Sequence, residues 1–462
     1  MTESGPINGG PEALAHPGSS AAATTRFSLN VAWTFAARIL MVFNSVLAGI
    51  VVARWLGASG VGELAVINVA VSTIVQLGAF GLPSSNTYFI ARDQEHFRAA
   101  AVNSLIFALL VGAVLALGLM ATASLRPNWF GFVSPDLIRI AAISIPFQIL
   151  TLIGLNIFLA LERIREFNLL DLIGQSFVLI NALAALVVFR RGLNLLVALN
   201  TAAAIFVSLV IMILLIAAGR TVLPTKWRAD FRLLARMVSY GIKFHLSILA
   251  GTLIFRADLL VVNHFRGSVE AGVYSVASQF ALMLMLLPGV IATLIFPRIT
   301  SAQDQHGETT SLVMRHTAFV MAICCLVAIP LSLLLPVLYG AAFNEAITQL
   351  LIMLPGIYLV SLQSVLVQHF NALGLPRIIL LYWLITLVIN VVLVFAVVPQ
   401  YGARGAAVVS AVSYGLIFAL VAIRFRLTTQ RSWSNIFLLR RDELRQLFWL
   451  GTRMVTSLRG SR

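Results

Sequence analysis

Three basic side chains and one carboxylate lie inside stretches of sequence that are otherwise apolar. Arg38 lies in the first long apolar run, and Lys243, Arg256 and Asp258 lie together in the seventh. A charge in the hydrocarbon core of a membrane is costly, so such residues usually face a bundle interior or a watery cavity. Buried basic side chains hold anions such as phosphates, and a buried carboxylate holds a cation or a proton. The pattern therefore predicts an anion-binding cavity, with Asp258 as the candidate site for a coupling ion.

Each of these charged residues also has a purely structural interpretation. Arg38 lies too deep to reach the interface easily, and it either faces the cavity or pairs within its own bundle. Lys243 lies near one end of its run and either enters the cavity or extends to the membrane surface. Asp258 either serves a coupling cation or proton or balances a neighbouring arginine. Arg256 is two residues away on the same helix, so it points in a different direction and needs a partner of its own.

Uncharged polar residues recur at matching places in the second and eighth apolar runs. Asn68 and Gln76 lie in the second run, and Gln279 lies in the eighth. They either form hydrogen bonds between helices or line a wet cavity, and Asn68 and Gln76 are also candidate partners for Arg38. We predict the following cavity residues: Arg38, Asn68, Gln76, Lys243, Arg256 and Gln279.

The composition indicates a protein with many membrane-spanning helices. Of the 462 residues, 60% are hydrophobic and 11% are charged, whereas a soluble domain carries about 25% charged residues. Basic residues outnumber acidic ones by 32 to 17. We assign this excess to the cytoplasmic face of a membrane rather than to nucleic acid. Cys324 and Cys325 are adjacent in an apolar run, so we interpret them as packing residues.

The sequence shows no pattern of catalytic or cofactor-binding residues. It contains no P-loop, no metal-ligand spacing and no pair of carboxylates placed for acid–base chemistry. We therefore predict no enzymatic activity, no metal and no cofactor.

Apolar runs of about 20 residues, the length needed to cross a membrane, recur along the whole chain. With the N-terminus in the cytoplasm, the connecting segments on that side hold 22 basic residues and those on the other side hold 7. The positive-inside rule then predicts that both termini are cytoplasmic. The twelve predicted spans are 28–54, 61–91, 99–124, 137–160, 168–189, 193–217, 237–264, 271–297, 313–338, 346–372, 378–398 and 403–425.

The pattern of the chain repeats after six spans. Gly57–Gly62 follows the first span as Gly267–Gly272 follows the seventh, and we predict hinges at both places. The fold class is therefore an all-α polytopic membrane protein with two pseudo-symmetric six-helix lobes and a site at their interface. The predicted parts are a disordered cytoplasmic tail 1–26, an N-lobe 27–218, a basic cytoplasmic linker 219–236, a C-lobe 237–426 and a basic C-terminal tail 427–462. The last segment is either an amphipathic helix on the inner leaflet or a frayed tail.

Short motifs spread along the chain resemble those of one transporter family. They are Arg256-Ala-Asp258 with Gly267, Gly272-Val-Tyr274 and Phe296-Pro297-Arg298, then Gly81-Leu82, Leu338-Tyr339-Gly340-Ala-Ala-Phe343 and Pro399-Gln-Tyr401-Gly402-Ala-Arg-Gly405-Ala406-Ala407. Over about residues 28–426 the sequence resembles the polysaccharide transporter branch (Wzx-like O-antigen and exopolysaccharide flippases) of the multidrug/oligosaccharidyl-lipid/polysaccharide (MOP) flippase superfamily. The cavity cations are not motif positions, so Arg38 and Lys243 are assigned from their chemistry alone.

The resemblance implies MATE-like lobes around a central cavity that flips undecaprenyl-pyrophosphate-linked oligosaccharide across the cytoplasmic (inner) membrane by alternating access. The implied partners are the lipid-linked glycan, membrane lipids, and polysaccharide polymerase and glycosyltransferases of the same pathway, without nucleic acid. The alternative is a cation-coupled drug or metabolite antiporter of the same fold. Such antiporters often carry an acidic residue in the first span, where this chain carries Arg38. We expect Arg38 and Lys243 to hold the pyrophosphate from both sides.

Overall fold

The structure, a computed structural model, describes residues 17–131, 133–220, 226–289, 291, 304, 306–373, 377–438 and 443, with side chains from residue 33 onward. Regular secondary structure in these ranges is entirely helical. The α-helices are α1 (Pro17–Gly78), α2 (Leu82–Arg92), α3 (His96–Leu125), α4 (Pro135–Ala142), α5 (Ile145–Ala160), α6 (Ile164–Ala182), α7 (Gly192–Ala218), α8 (Phe231–Arg266), α9 (Ser268–Met283), α10 (Glu308–Ser332), α11 (Leu335–Tyr339), α12 (Asn344–Ala372), α13 (Arg377–Thr429) and α14 (Trp433–Phe437). Short 3-10 helices cover Pro127–Phe130 and Ala341–Phe343, and a π-helical turn covers Leu183–Val188.

Ten helical segments among the described residues are long and apolar enough to cross a membrane. Two of them, in α1 and α13, break at Gly57 and Gly402, where φ is 65° and 57°. Such positive φ angles are accessible to glycine at little cost and strain most other residues. Each part of these two helices is long enough for a crossing of its own, because about 20 residues are needed. Ten segments with two internal breaks agree in number with the twelve predicted spans, and residues 290 and 292–297 of the eighth predicted span lie outside the described residues.

The two ends of the bundle are distinguished by what connects the helices there. The end that carries Gly57, Gly267 and Gly402 is called the hairpin end, because each glycine joins two long helical segments through a break of one residue. Hydrogen bonds tie these breaks together, as when the Ala403 amide donates to a Glu270 carboxylate oxygen at 2.7 Å. The opposite end, where α2 ends at Arg92 and α8 begins at Phe231, is called the linker end.

Buried apolar side chains form two clusters that follow the order of the chain. One cluster extends from Val66 to Met237, and the other is built mainly from residues between Ile254 and Ile436. The second cluster also includes residues of the N-terminal half, namely Ala48, Val52, Ala53, Ala58, Val61 and Val69 of α1 and Ala182, Ala185, Leu186 and Leu196. Helix α1 accordingly packs against α6 and also against α9. We call residues 17–220 the N-terminal half and residues 226–443 the C-terminal half.

Both chain ends extend beyond what the structure describes. Helix α1 begins at Pro17, inside the segment 1–26 predicted as a tail, and residues 1–16 lie outside the described residues. Near the other end, α14 packs on α10, Ile436 is buried, and Arg315 pairs with Glu443. The rest of the predicted amphipathic tail lies outside the described residues.

Candidate functional site

A cavity of about 570 Å³ lies between the two halves of the chain. Helices α1, α6 and α7 of the N-terminal half form one side, and α8 and α9 of the C-terminal half form the other, with Tyr339 at one edge. Its polar lining comes from both halves and consists of Arg38, Ser45, Asn68, Gln175, Asn200, Arg256, Asp258, Ser275, Ser278, Gln279 and Tyr339. Four of the six predicted cavity residues, and the predicted coupling-ion residue, are in this lining.

Much of the polar lining lies near the middle of the membrane. Asn68 is 11 residues from Gly57, Arg256 is 11 residues from Gly267, and Gln279 is 12 residues from Gly267. At about 1.5 Å per residue these side chains lie about 17 Å from the hairpin end. The hydrocarbon core of a bilayer is about 30 Å thick, so this is the middle of the membrane. Transporters of inverted or parallel repeats place their substrate sites at this depth.

Arg256 is the cation of this lining that has no hydrogen-bond or ion-pair partner among the described residues. Its side chain is exposed and belongs to the lining of the cavity. A guanidinium in this position offers five donors in a planar fork. This arrangement suits a phosphate or carboxylate, which can accept two of those hydrogen bonds at once.

Arg38 satisfies both interpretations that its sequence position allowed. It lines the cavity, and its guanidinium also pairs with Asp171 of α6 at 3.1 Å. Its side chain remains 42% exposed, so the pair is not sealed within the N-terminal half. The partner is Asp171 rather than Asn68 or Gln76, which were the predicted candidates.

Two of the predicted cavity residues are not in the lining of the central cavity. Gln76 is half-buried on α1, one residue past Val75 in the first apolar cluster. Lys243 lines a second cavity between α2 and α8 at the linker end. Lys243 and Arg38 therefore lie in separate cavities, which differs from the predicted arrangement around one pyrophosphate. Lys243 lies 13 residues from Arg256 along α8, which is about 20 Å at about 1.5 Å per residue, and this places it outside the lining of the central cavity.

Asp258 is buried and fully engaged by donors of its own half. Its carboxylate accepts hydrogen bonds from the Ser410 hydroxyl at 2.7 Å and from the Leu259 amide at 2.8 Å. It also accepts one from the Tyr274 hydroxyl. The donors are hydroxyls and an amide, and no ion pair with an arginine is formed among the described residues. Sequence reasoning did not find Tyr274 or Ser410 as partners, because they lie 16 and 152 residues away in the chain.

Among the described residues, two hydrogen bonds from cavity-lining residues join the halves, and the longer one runs from the Tyr339 hydroxyl to the Val46 carbonyl at 3.5 Å. The Gln279 side-chain amide on α9 donates to the Ser45 hydroxyl on α1 at 2.9 Å. Asn44, the residue before Ser45, donates instead to Ser176 of α6 at 3.0 Å, within the N-terminal half. The face of α1 that carries Ser45 is thus held to the other half at the depth of the cavity.

The hairpin end above the cavity is closed by direct contacts between the halves. The Ser59 and Ser268 hydroxyls are 2.9 Å apart. A Cβ atom at Gly62 would lie 1.8 Å from the Ser268 carbonyl oxygen, and one at Gly272 would lie 2.0 Å from the Ala58 carbonyl oxygen. The glycines therefore permit backbone contact that no other residue would allow at this spacing. The predicted hinges lie at this closure.

Further hydrogen bonds support the same closure. The Arg54 guanidinium on α1 donates to the Leu338 carbonyl at 2.8 Å and to that of Val337. The Asn263 side chain on α8 donates to the Phe130 carbonyl at 2.8 Å. At the hairpin end, each half thus contributes donors to carbonyl oxygens of the other.

Known structures share this arrangement of helices. The lipid II flippase MurJ in an inward closed conformation aligns with a TM-score of 0.70 at 16% identity, over 87% of this chain and 90% of that one. A multidrug resistance MATE family transporter of the MOP superfamily in an inward-facing conformation aligns with a TM-score of 0.62 at 16% identity, over 87% and 99% of the two chains. A MOP superfamily transporter from Pyrococcus furiosus, described as having a binding pocket of reverse polarity, aligns with a TM-score of 0.58 at 14% identity, over 88% and 95%. The protein has the MurJ-like and MATE-like fold of multi-pass membrane transporters.

The sequence also places the chain within a family. A family described as polysaccharide biosynthesis protein matches residues 28–303, which is more than half of the chain, and the chain belongs to this family. The probable flippase AglR of Haloferax volcanii is 28% identical over 178 residues. That match covers 36% of this chain and 37% of the archaeal protein, so it spans little more than a third of that relative's length. The predicted fold class and the predicted flippase family are confirmed. The family is one of transporters rather than enzymes.

Proposed function

We propose that this protein translocates an undecaprenyl-pyrophosphate-linked oligosaccharide across the cytoplasmic membrane by alternating access. The observation that carries the proposal is the central cavity. There Arg256, which has no hydrogen-bond or ion-pair partner among the described residues, lies at mid-membrane depth among polar residues from both halves. The cargo has a pyrophosphate and a hydrophilic glycan that cannot cross hydrocarbon, whereas its polyprenyl tail can stay in the lipid. A polar cavity between two halves meets those needs.

The charges of the cavity favour an anionic cargo. Arg256 has no carboxylate partner among the described residues, and the pair between Arg38 and Asp171 leaves the Arg38 guanidinium partly exposed to the cavity. Asp258 is 2% exposed and its carboxylate already accepts three hydrogen bonds, so its oxygens are held by the C-terminal half. A pyrophosphate is therefore better matched here than a cationic drug.

The two halves are proposed to act as rigid lobes, 27–218 and 237–426, joined by the linker 219–236. With both termini in the cytoplasm, the hairpin end faces outward, and its contacts close the cavity toward the outside. Rocking of the lobes would then break the contacts at Ser59, Ser268 and the two close-packed glycines. The cavity would open outward while the same side chains remain at mid-membrane.

Asp258 is proposed as the site that couples an ion to the return step. Among the described residues its carboxylate is the one acidic group in the cavity lining of the C-terminal half, and it accepts hydrogen bonds from hydroxyl groups of α9 and α13. Protonation or cation binding there would change the hydrogen bonds that hold α8 to those helices. The competing function, a cation-coupled drug or metabolite antiporter, would use the same group for a cationic cargo.

The experiment is a translocation assay in proteoliposomes with a fluorescent polyprenyl-pyrophosphate-linked oligosaccharide, read by lectin capture on the opposite leaflet. We expect wild-type protein to accelerate transfer and Arg256→Ala to lower the rate at least tenfold, since loss of a charged hydrogen-bond partner removes about 1.5–3 kcal/mol. Arg256→Lys should retain part of the rate, because it keeps the charge and loses the fork. Arg38→Ala should also slow transfer, with partial rescue by Lys.

The control variant is Arg228→Ala, which removes an exposed arginine outside the cavity. Its rate should equal that of the wild type. Equal rates for Arg256→Ala and wild type would contradict the cavity assignment. Uptake of a cationic dye without any transfer of the lipid-linked glycan would favour the antiporter instead.

A further inference from the structure

A second cavity lies between α2 and α8 at the linker end and is separate from the transport cavity. Its volume is about 1010 Å³. Helix α2 and the segment after it provide one wall, and the first part of α8 provides the other. Its lining consists of Tyr88, Phe89, Arg92, Asp93, His96, Ala235, Arg236, Ser239, Tyr240 and Lys243.

Helical spacing brings the basic and aromatic side chains of this cavity together. Tyr88 and Arg92 are four residues apart on α2, and Arg236, Tyr240 and Lys243 follow at intervals of four and three residues on α8. Residues at these intervals share one face of a helix. The rings of Tyr88 and Tyr240 stack with centroids 4.4 Å apart, so the two faces meet across the boundary between the halves.

The cavity has an excess of positive charge that its own residues do not balance. Its one carboxylate among the described residues, Asp93, lies 2.9 Å from the His96 ring and accepts a hydrogen bond from the Glu95 amide. Arg92 donates to the Tyr88 hydroxyl at 3.1 Å. Arg236 and Lys243 are exposed and make no ion pair within the described residues. Three cations and one carboxylate therefore line this space, which leaves two positive charges unbalanced among the described residues.

The depth of the cavity is that of lipid headgroups. Lys243 is 23 residues from Arg266, where α8 ends at the hairpin end. At about 1.5 Å per residue this is about 34 Å, which exceeds the hydrocarbon thickness of about 30 Å. Tyrosines are enriched at this level, where one end of the ring is apolar and the other is wet.

We propose that this cavity binds the phosphate headgroup of an anionic phospholipid and thereby ties α2 of one half to α8 of the other. Basic pockets between membrane helices on the cytoplasmic side are suited to such headgroups. The Tyr88 and Tyr240 rings cover the glycerol region, and the three cations contact the phosphate. The proposal concerns a lipid that stays in its leaflet, and it is independent of the transported cargo.

The test is native mass spectrometry of the full-length protein titrated with phosphatidylglycerol or with phosphatidylcholine of the same acyl chains. We expect the wild type to retain phosphatidylglycerol preferentially. The double variant Arg236→Gln/Lys243→Gln should bind it about 30-fold more weakly, because each basic residue near an anionic surface contributes a factor of about five. Arg92→Gln, on the opposite wall, should lower the affinity about fivefold by itself.

The matched control is Arg228→Gln/Arg232→Gln, which removes two exposed arginines of the same chain segment outside the cavity. It should bind phosphatidylglycerol as the wild type does, and in detergent without added phospholipid all variants should keep the melting temperature of the wild type. Equal losses in the two double variants would overturn the proposal, as would equal binding of the two phospholipids. Tighter binding of inorganic phosphate or of a short-chain polyprenyl pyrophosphate than of phosphatidylglycerol would also overturn it.

Discussion

At the scale of single residues, the charged side chains of the site differ in whether they have partners within the protein. Arg256 has none among the described residues, Arg38 shares Asp171, and Asp258 is held by Tyr274, Ser410 and a backbone amide. In a membrane, a charge that is not balanced by the protein is costly unless water or a ligand compensates it. A pyrophosphate in the cavity would therefore accept the hydrogen bonds that the Arg256 guanidinium has free to donate.

The buried Asp258 cluster leads to a prediction about stability. Asp258→Ala would remove the acceptor that the buried Tyr274 and Ser410 hydroxyls share. Because these hydroxyls are 3.2 Å apart, one can still donate to the other, and the remaining unsatisfied donor costs about 1–3 kcal/mol. We expect a lower melting temperature in detergent for Asp258→Ala, and a smaller decrease for Asp258→Asn, which keeps one acceptor oxygen. Ser278→Ala, a change at a cavity-lining hydroxyl without a hydrogen-bond partner among the described residues, is the control. An unchanged melting temperature for Asp258→Ala would show that the cluster does not stabilise the fold.

The sequence predicted which charges lie in the membrane but not how they pair. Arg38, Arg256 and Asp258 stand out because each interrupts an apolar run. Their partners do not stand out, because Asp171 is 133 residues from Arg38 and Ser410 is 152 residues from Asp258. Such pairs depend on how helices rotate and pack against one another, which periodicity within one helix does not fix.

At the scale of helices, glycines set how closely the two halves approach at the hairpin end. Gly62 lies in the second part of α1 and Gly272 lies near the start of α9, and each contacts backbone of the other half. The repeat of these glycines was visible in the sequence, and hinges were predicted there. What the repeat did not reveal is that Gly62 and Gly272 pack against each other. Helix α8 has 36 residues. Lys243 lies 13 residues from Arg256 on this helix, which places it beyond the cavity.

Gly62→Ala should prevent closure of the hairpin end. Its Cβ atom would lie 1.8 Å from the Ser268 carbonyl oxygen, which is far inside van der Waals contact. We expect a Ser59→Cys reporter to react with a membrane-impermeant thiol reagent several times faster in the Gly62→Ala background. Gly118→Ala on α3 is the control, because a Cβ atom added at Gly118 would have no neighbouring atom within 4 Å. Equal reaction rates in the two backgrounds would show that Gly62 does not control closure.

At the scale of the whole molecule, the proposed transport cycle depends on two halves and on their orientation in the membrane. Twelve spans were predictable because apolar run length is a property of the sequence alone. The shape of the cavity was not predictable, because it depends on side chains from five helices that are remote in sequence. The orientation comes from the distribution of basic residues and stays a prediction.

Thiol labelling tests the orientation. In a variant whose native Cys324 and Cys325 are replaced by serine, a cysteine at Ser134 should react with an impermeant reagent from outside intact cells. A cysteine at Gln94 should react only after permeabilisation. Both positions are exposed, and they lie at opposite ends of α3. The reverse pattern, or labelling of both positions from one side, would contradict cytoplasmic termini.

The most direct test of alternating access is a disulfide across the hairpin end. Ser59 and Ser268 lie in different halves with their hydroxyls 2.9 Å apart, so the pair Ser59→Cys/Ser268→Cys is placed to crosslink in the closed state. We expect oxidation to stop translocation of the lipid-linked oligosaccharide in proteoliposomes and reduction to restore it, while each single cysteine variant stays active under both conditions. Translocation at the normal rate by fully crosslinked protein would contradict the rocking of two lobes around a central cavity.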